Sequence, residues 1–128
     1  MTGAQLILTK NRNVSRVHSR YPVMTSSNSN QDIFRDLIRL HILHHASKGG
    51  VFGFWFIEEL ARHGYKLSPG TLYPILHGLE NKGYLRSSNQ RLGKSLRRVY
   101  RATPAGRKAL ALAKRKVTEL FGELFEEK

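Results

Sequence analysis

The sequence holds no cysteine, which excludes disulfides, thiolate metal sites and cysteine nucleophiles and suits a reducing compartment. Long apolar runs are missing too. The longest, residues 51–57 (VFGFWFI), falls well short of the roughly 18 residues that cross a bilayer. Leu6-Ile7-Leu8 is too short for a secretory signal, and no small-residue cleavage site follows it. GxGxxG, Walker, HExxH and GxSxG motifs are all absent, so no catalytic residue and no cofactor are expected. Acidic residues are scarce, at nine against 22 Lys and Arg.

That imbalance gives 128 residues a formal charge of +13. With 40% hydrophobic residues the chain has enough apolar material for one core, so a wholly disordered basic tail is excluded. The charge is segmented: residues 1–31 carry four bases and no acid, 32–85 six and five, 86–116 eleven and none, 117–128 one and four. Half of the basic residues thus fall in one acid-free stretch of thirty-one, the footprint of a surface that meets a polyanion. Residues 1–31, rich in Ser, Thr, Asn and Arg and without sustained period, read as a flexible basic arm. A transit peptide is the rival reading of the arm, and Met24 is a second candidate start.

From Asp32 the pattern turns helical. Ile33, Phe34, Leu37, Ile38, Ile42 and Leu43 recur at helical steps behind an Asn30 cap, ending near Lys48-Gly49-Gly50. A second helix is expected over 54–63, with Ile57, Leu60 and Ala61 inward and Gly64 as its stop. Ser68-Pro69 reads as cap and first turn of a third helix, about 69–82, with Leu72, Ile75, Leu76 and Leu79 on one face and Gly83 closing it. Residues 84–88 and 96–102 then suit two strands around a long basic loop, 89–95. Thr103-Pro104 opens a last helix whose stripe runs Leu110, Ala113, Val117, Leu120 or Phe121, and Leu124. Its outer face carries Arg107, Lys108, Lys114 and Arg115, then Glu119, Glu123 and Glu126. Such a stripe exceeds what a small core covers, so a second copy of the chain is its expected partner, in a homodimer seamed by Leu110, Val117, Leu120, Phe121 and Leu124.

Three helices and then a hairpin is the order of a winged helix-turn-helix, an α+β, mainly helical fold. The expected organisation is an arm at 1–31, a winged-helix domain at 32–103 with its wing at about 84–102, and a dimerisation helix at 104–128. The string Pro69-Gly70-Thr71-Leu72-Tyr73-Pro74-Ile75-Leu76, then Leu79-Glu80, Gly83-Tyr84-Leu85, Arg97-Arg98-Val99-Tyr100 and Thr103-Pro104-Ala105-Gly106, resembles the PadR family of transcriptional regulators. The resemblance covers roughly residues 32–128 and implies a winged helix that dimerises through its C-terminal helix and usually represses transcription. The chain departs from the family in two places. Val51-Phe52-Gly53-Phe54-Trp55 stands where many members open the second helix with His-Gly-Tyr, and the C-terminal part is a single helix without a larger second domain.

With Leu72 inward, the opposite face of the third helix holds Gly70, Pro74, His77 and Asn81, edged by Thr71, Tyr73 and Gly78. Ser68, Thr71 and Tyr73 can donate to phosphate oxygens, whereas His77 and Asn81 are placed for base edges. Pro74 removes one backbone bond and is expected to kink the helix. Arg91, Lys94, Arg97 and Arg98 form a basic wing suited to phosphates or a narrow minor groove, with Arg101, Arg107 and Lys108 as an extension. The expected function is therefore sequence-specific binding of double-stranded operator DNA by a cytoplasmic, nucleoid-associated repressor. Two other readings stay open: an RNA-binding basic domain, and an effector-sensing module taking a planar ligand near Trp55. His41, His44 and His45 share a helix at i, i+3 and i+4, but no carboxylate or thiol nearby in sequence completes a metal set, so ordinary helix histidines are expected. Gly50-Val51-Phe52-Gly53 has the GxxG spacing of an RNA-clamping loop, with the wrong, apolar filling.

Overall fold

The structure, a computed structural model, describes residues 24–25 and 31–126. The arm before Met24 and the Asn30 cap lie outside the described residues. Strand β1 (Met24–Thr25) pairs in parallel with β3 (Tyr65–Lys66). Between them come α1 (Gln31–Ala46), β2 (Val51–Phe52) and α2 (Gly53–Arg62). After β3 follow α3 (Pro69–Asn81), the hairpin β4 (Leu85–Leu92) and β5 (Ser95–Ala102), and α4 (Pro104–Phe121), which ends in a π-helical segment, Gly122–Glu126. A winged helix results, its three-stranded antiparallel sheet ordered β2-β5-β4.

The core collects one face of each helix. Ile38, Ile42, Leu43 and Ala46 come from α1, Trp55, Phe56 and Leu60 from α2, and Leu72, Ile75, Leu76 and Leu79 from α3, with Leu85, Val99 and Tyr100 from the wing root. Several sequence expectations need correction. Ile33 and Leu37, read as inward, are 71% and 42% exposed, and Leu37 borders the open cavity between α1 and α4 instead of the core. α2 begins one residue early and is turned so that Trp55 and Phe56 are buried, leaving Ile57 and Ala61 half-buried. The cause is β2: Val51 pairs with Tyr100 and Phe52 with Val99, so the GxxG segment belongs to a sheet and is no phosphate-clamping loop.

Gly83, at φ +82°, ends α3. Its N–H donates to the Glu80 carbonyl and the N–H of Tyr84 to that of Leu79, reversing the chain into β4. The expected long wing loop is replaced by a two-residue turn, Gly93-Lys94, with Leu92 opposite Ser95 and all eight residues of each strand paired. Gly93, at φ +65°, occupies the first central position, where a tight hairpin requires a positive φ. α4 starts on a true cap, Gly106 N–H donating to Thr103 Oγ1 at 3.0 Å while that hydroxyl donates to the Gly83 carbonyl. Leu110, expected in a dimer seam, is only 6% exposed and completes the protomer's own core. Farther along, Val117, Leu120, Phe121 and Leu124 are all exposed, and Phe121 meets Phe125 at 5.0 Å between ring centres. Between α1 and α4 an apolar cavity of about 450 Å³ opens, lined among others by Leu37, His41, Leu110 and Val117.

Candidate nucleic-acid interface

α3 is amphipathic in the manner a groove-reading helix needs. Leu72, Ile75, Leu76 and Leu79 are buried, while Gly70, Pro74, His77 and Asn81 are exposed on the far side. The helix runs unbroken through Pro74, whose missing donor faces solvent. At its start Ser68 supplies its backbone carbonyl to the N–H groups of Thr71 and Leu72, and its hydroxyl lies 3.4 Å from Thr71 Oγ1. Neither His77 nor Asn81 has a side-chain hydrogen bond among the described residues, so both present unspent polar groups. Tyr73 differs. It is half-buried and lies against Gly53, where a Cβ would sit 3.0 Å from its hydroxyl and ring. Gly53 thereby lets α2 and α3 cross closely, and Tyr73 belongs partly to packing.

The link between α3 and the wing was not visible in the sequence. Glu80 Oε2 accepts from the Ser87 hydroxyl at 2.7 Å and from the Ser87 N–H at 3.2 Å, fixing the end of α3 to β4. Strand alternation then sorts the arginines. Arg91 and Arg98 fall on the Ser87 face, the one that meets α3, whereas Arg97 falls on the opposite face with Arg86 and Arg101. Arg98 Nη1 donates to Asn89 Oδ1 at 3.4 Å. Arg97 lies back over α2, its guanidinium carbon 5.5 Å from the centre of the Phe54 ring, a cation–π contact. Lys94 stands at the apex. Among the described residues the only ion pair that uses residues 86–116 joins exposed Lys116 to Glu119 at 3.9 Å, so the wing's charge is unneutralised.

A second polar cluster sits inside the fold. Glu59 is 4% exposed; Arg62 Nη1 donates to its Oε1 at 2.9 Å, and His45 Nε2 and His63 Nε2 lie 3.3 and 3.2 Å from its Oε2. Burial alone would raise this carboxyl, but the hydrogen bonds and charges of His45 and Arg62 outweigh it and hold the pKa at about 2. His41 stacks on His63 at 4.7 Å, and burial, with His63 and His45 close by, lowers it to about 4. The histidines thus tie α1 to α2. Among the described residues no three or more His, Asp or Glu side chains are grouped so that they could hold a metal ion. Trp55 is wholly buried, its ring edge-on to His45 at 5.0 Å, so no planar ligand can stack there without opening the core.

A model of the transcriptional regulator PadR-like family matches residues 42–112, from within α1 to within α4. The chain belongs to the PadR-like family of transcriptional regulators. Family membership agrees with the element order and brings DNA-binding regulation of transcription with it. Transcriptional regulator Rv3488 of Mycobacterium tuberculosis is 54% identical over 90 residues, spanning 70% of this chain and 84% of that protein. The structure of smu.1704 from Streptococcus mutans is 27% identical, with a TM-score of 0.64 over 80% of this chain and 87% of that one. The circadian clock associated protein Pex from Anabaena has a TM-score of 0.57 over 81% of this PadR-like chain and 89% of its own; at 20% identity it shows a shared fold alone. In this chain Val51–Phe52 form β2 and Gly53–Trp55 open α2.

Proposed function

We propose that this PadR-like regulator binds operator DNA as a homodimer and represses transcription by occupying it, working in the cytoplasm on nucleoid DNA and catalysing no reaction. The observation that carries the reading is one continuous surface. The exposed face of α3, with His77 and Asn81, adjoins an acid-free wing whose Arg91 and Arg98 lie on the side that meets α3. Ser68 and Thr71, with the Tyr73 hydroxyl at the edge, contact phosphates, and His77 and Asn81 read base edges. Arg91, Lys94 and Arg98 follow the flanking backbone or minor groove, with Arg97 held closer to α2. RNA is the weaker partner, because single-stranded bases need several exposed aromatic platforms, and of the rings on α3 only His77 is exposed while Tyr73 is half-buried.

The dimer is supported by the exposed Val117, Leu120, Phe121 and Leu124 on α4 and beyond it, a stripe that the described residues leave largely uncovered. Two copies related by a twofold axis would read half-sites about one helical turn apart, or a small multiple of that. A small-molecule effector fits the apolar cavity between α1 and α4 and does not fit the buried Trp55. The deciding measurement is DNA affinity as a function of salt. Arg91→Ala, Lys94→Ala and Arg98→Ala should each weaken all sequences alike and lower the slope of log affinity against log salt by about 0.9 for each phosphate no longer neutralised. His77→Ala should instead change which site is preferred. Wing variants that shift preference at constant slope would reverse these roles, and equal affinity of the wild type for duplex RNA would remove the operator reading.

A further inference from the structure

On the wing face turned away from α3, the register sets Arg86 directly opposite Arg101. Like charges in opposed positions destabilise a sheet. No ion pair among the described residues includes either guanidinium. Together with Ser88, Thr103 and Pro104 the two arginines line a cleft of about 120 Å³ at the wing root. The Arg101 guanidinium also packs above Gly50, beside β2, where an added Cβ would fall 2.8 Å from Nη2 and 2.9 Å from Cζ. Gly50 therefore leaves the space that the guanidinium occupies.

We infer that this cleft binds a phosphate-type oxyanion between the guanidiniums of Arg86 and Arg101, with the Ser88 hydroxyl as a further donor. A tetrahedral anion turns the opposed charges from a liability into two charge-assisted contacts, each guanidinium offering paired N–H donors in the fork that matches phosphate oxygens. The two guanidiniums offer donors and no acceptor, so the recognised group is the anionic phosphate itself. It arrives either as a free phosphate or as a phosphodiester of DNA running past the wing root; only the second case rests on the operator reading above.

The test follows the arginine Nε–Hε resonances of the full chain by NMR while inorganic phosphate replaces chloride at constant ionic strength. Expected are saturable shifts at Arg86 and Arg101 with phosphate and not with chloride, weakened about tenfold or more in both Arg86→Gln and Arg101→Gln. Two variants on separate strands keep the test valid should one fail to fold. In parallel, the DNA salt slope is measured for Arg101→Gln. A slope shallower by about 0.9 identifies a DNA phosphodiester as the occupant, and an unchanged slope with the phosphate response present identifies a free phosphate. Identical responses to phosphate and chloride in the wild type, together with an unchanged slope, overturn the inference. A wild type that binds no DNA overturns the operator reading and leaves the phosphate result to stand by itself.

Discussion

Alanine at position 106 would place a Cβ 2.1 Å from the Tyr84 carbonyl oxygen, 2.9 Å from the Tyr84 carbonyl carbon and 3.1 Å from its Cα. The first distance lies more than 1 Å inside the roughly 3.3 Å at which carbon and oxygen normally meet. Because the obstacle is backbone, rotamer changes cannot relieve it; the start of α4 must retreat from the β4 entry. That retreat stretches the bond from the Thr103 N–H to the same Tyr84 carbonyl, now 3.0 Å, and loosens the Thr103 cap on Gly106. Overpacking of about 1–3 kcal/mol and about 1 kcal/mol for each weakened bond work against about 1 kcal/mol of helix propensity gained by alanine. The net expectation is a loss of about 2–4 kcal/mol for Gly106→Ala. Gly78→Ala is the internal control, since a Cβ there meets nothing within 4 Å and position 78 lies inside α3. It should stabilise by up to about 1 kcal/mol. Urea unfolding at one fixed protein concentration separates the two, the fixed concentration holding any dimer contribution constant. A Gly106→Ala protein as stable as the wild type would refute the close approach of α4 to Tyr84.

Acid should destabilise the fold in two stages. His41 is kept neutral with its pKa lowered from 6.5 to about 4, so the stability it contributes is complete above pH 6.5 and is lost as pH falls towards 4, up to about 3 kcal/mol. Glu59, held at about 2 against an ordinary 4.5, extends the loss from pH 4.5 downwards. Denaturant titrations at stepped pH should therefore show His41→Phe losing less stability than wild type between pH 6.5 and 4; equal losses would assign that stage to other groups. Leu120→Asp with Leu124→Asp should yield monomers in analytical ultracentrifugation, because both positions are exposed in the protomer, at 51% and 62%, and the charges enter only the seam between copies. Sedimentation like the wild type would place the seam elsewhere. Glu80→Ala removes the acceptor that ties Ser87 to α3 and should weaken DNA binding without altering the charge facing DNA on the wing; unchanged affinity would show that α3 and the wing need no such tie.

Local chemistry made most of the elements legible in the sequence. Pro69 and Pro104 behind Ser68 and Thr103 open α3 and α4, Gly64 and Gly83 end α2 and α3 at positive φ, and the Leu72–Leu79 spacing faces the core. The exposed face of α3 follows from that same spacing, so helical geometry alone assigns Gly70, Pro74, His77 and Asn81 to it. The outer wing could not be assigned that way. Residues 88–98 are almost wholly polar, and with neither sheet face buried at the tip no alternating pattern marks them as strand; cross-strand pairing of the backbone extends β4 and β5 to the Gly93-Lys94 turn. Periodicity likewise says that Ile33, Leu37 and Leu110 lie on apolar stripes without saying which stripe is covered, and tertiary packing buries Leu110 while leaving the other two exposed. Close approaches were silent for the same reason. Gly106 under the Tyr84 carbonyl, Gly50 beneath Arg101 and Glu80 reaching Ser87 join residues distant in the chain, and a sequence encodes such contacts only as a missing Cβ or an unremarkable acid. Amide capping and helical spacing act within about four residues and can be read locally, whereas the facing of Arg86 on Arg101 and the sorting of Arg91 from Arg97 exist only once the strands have paired in register.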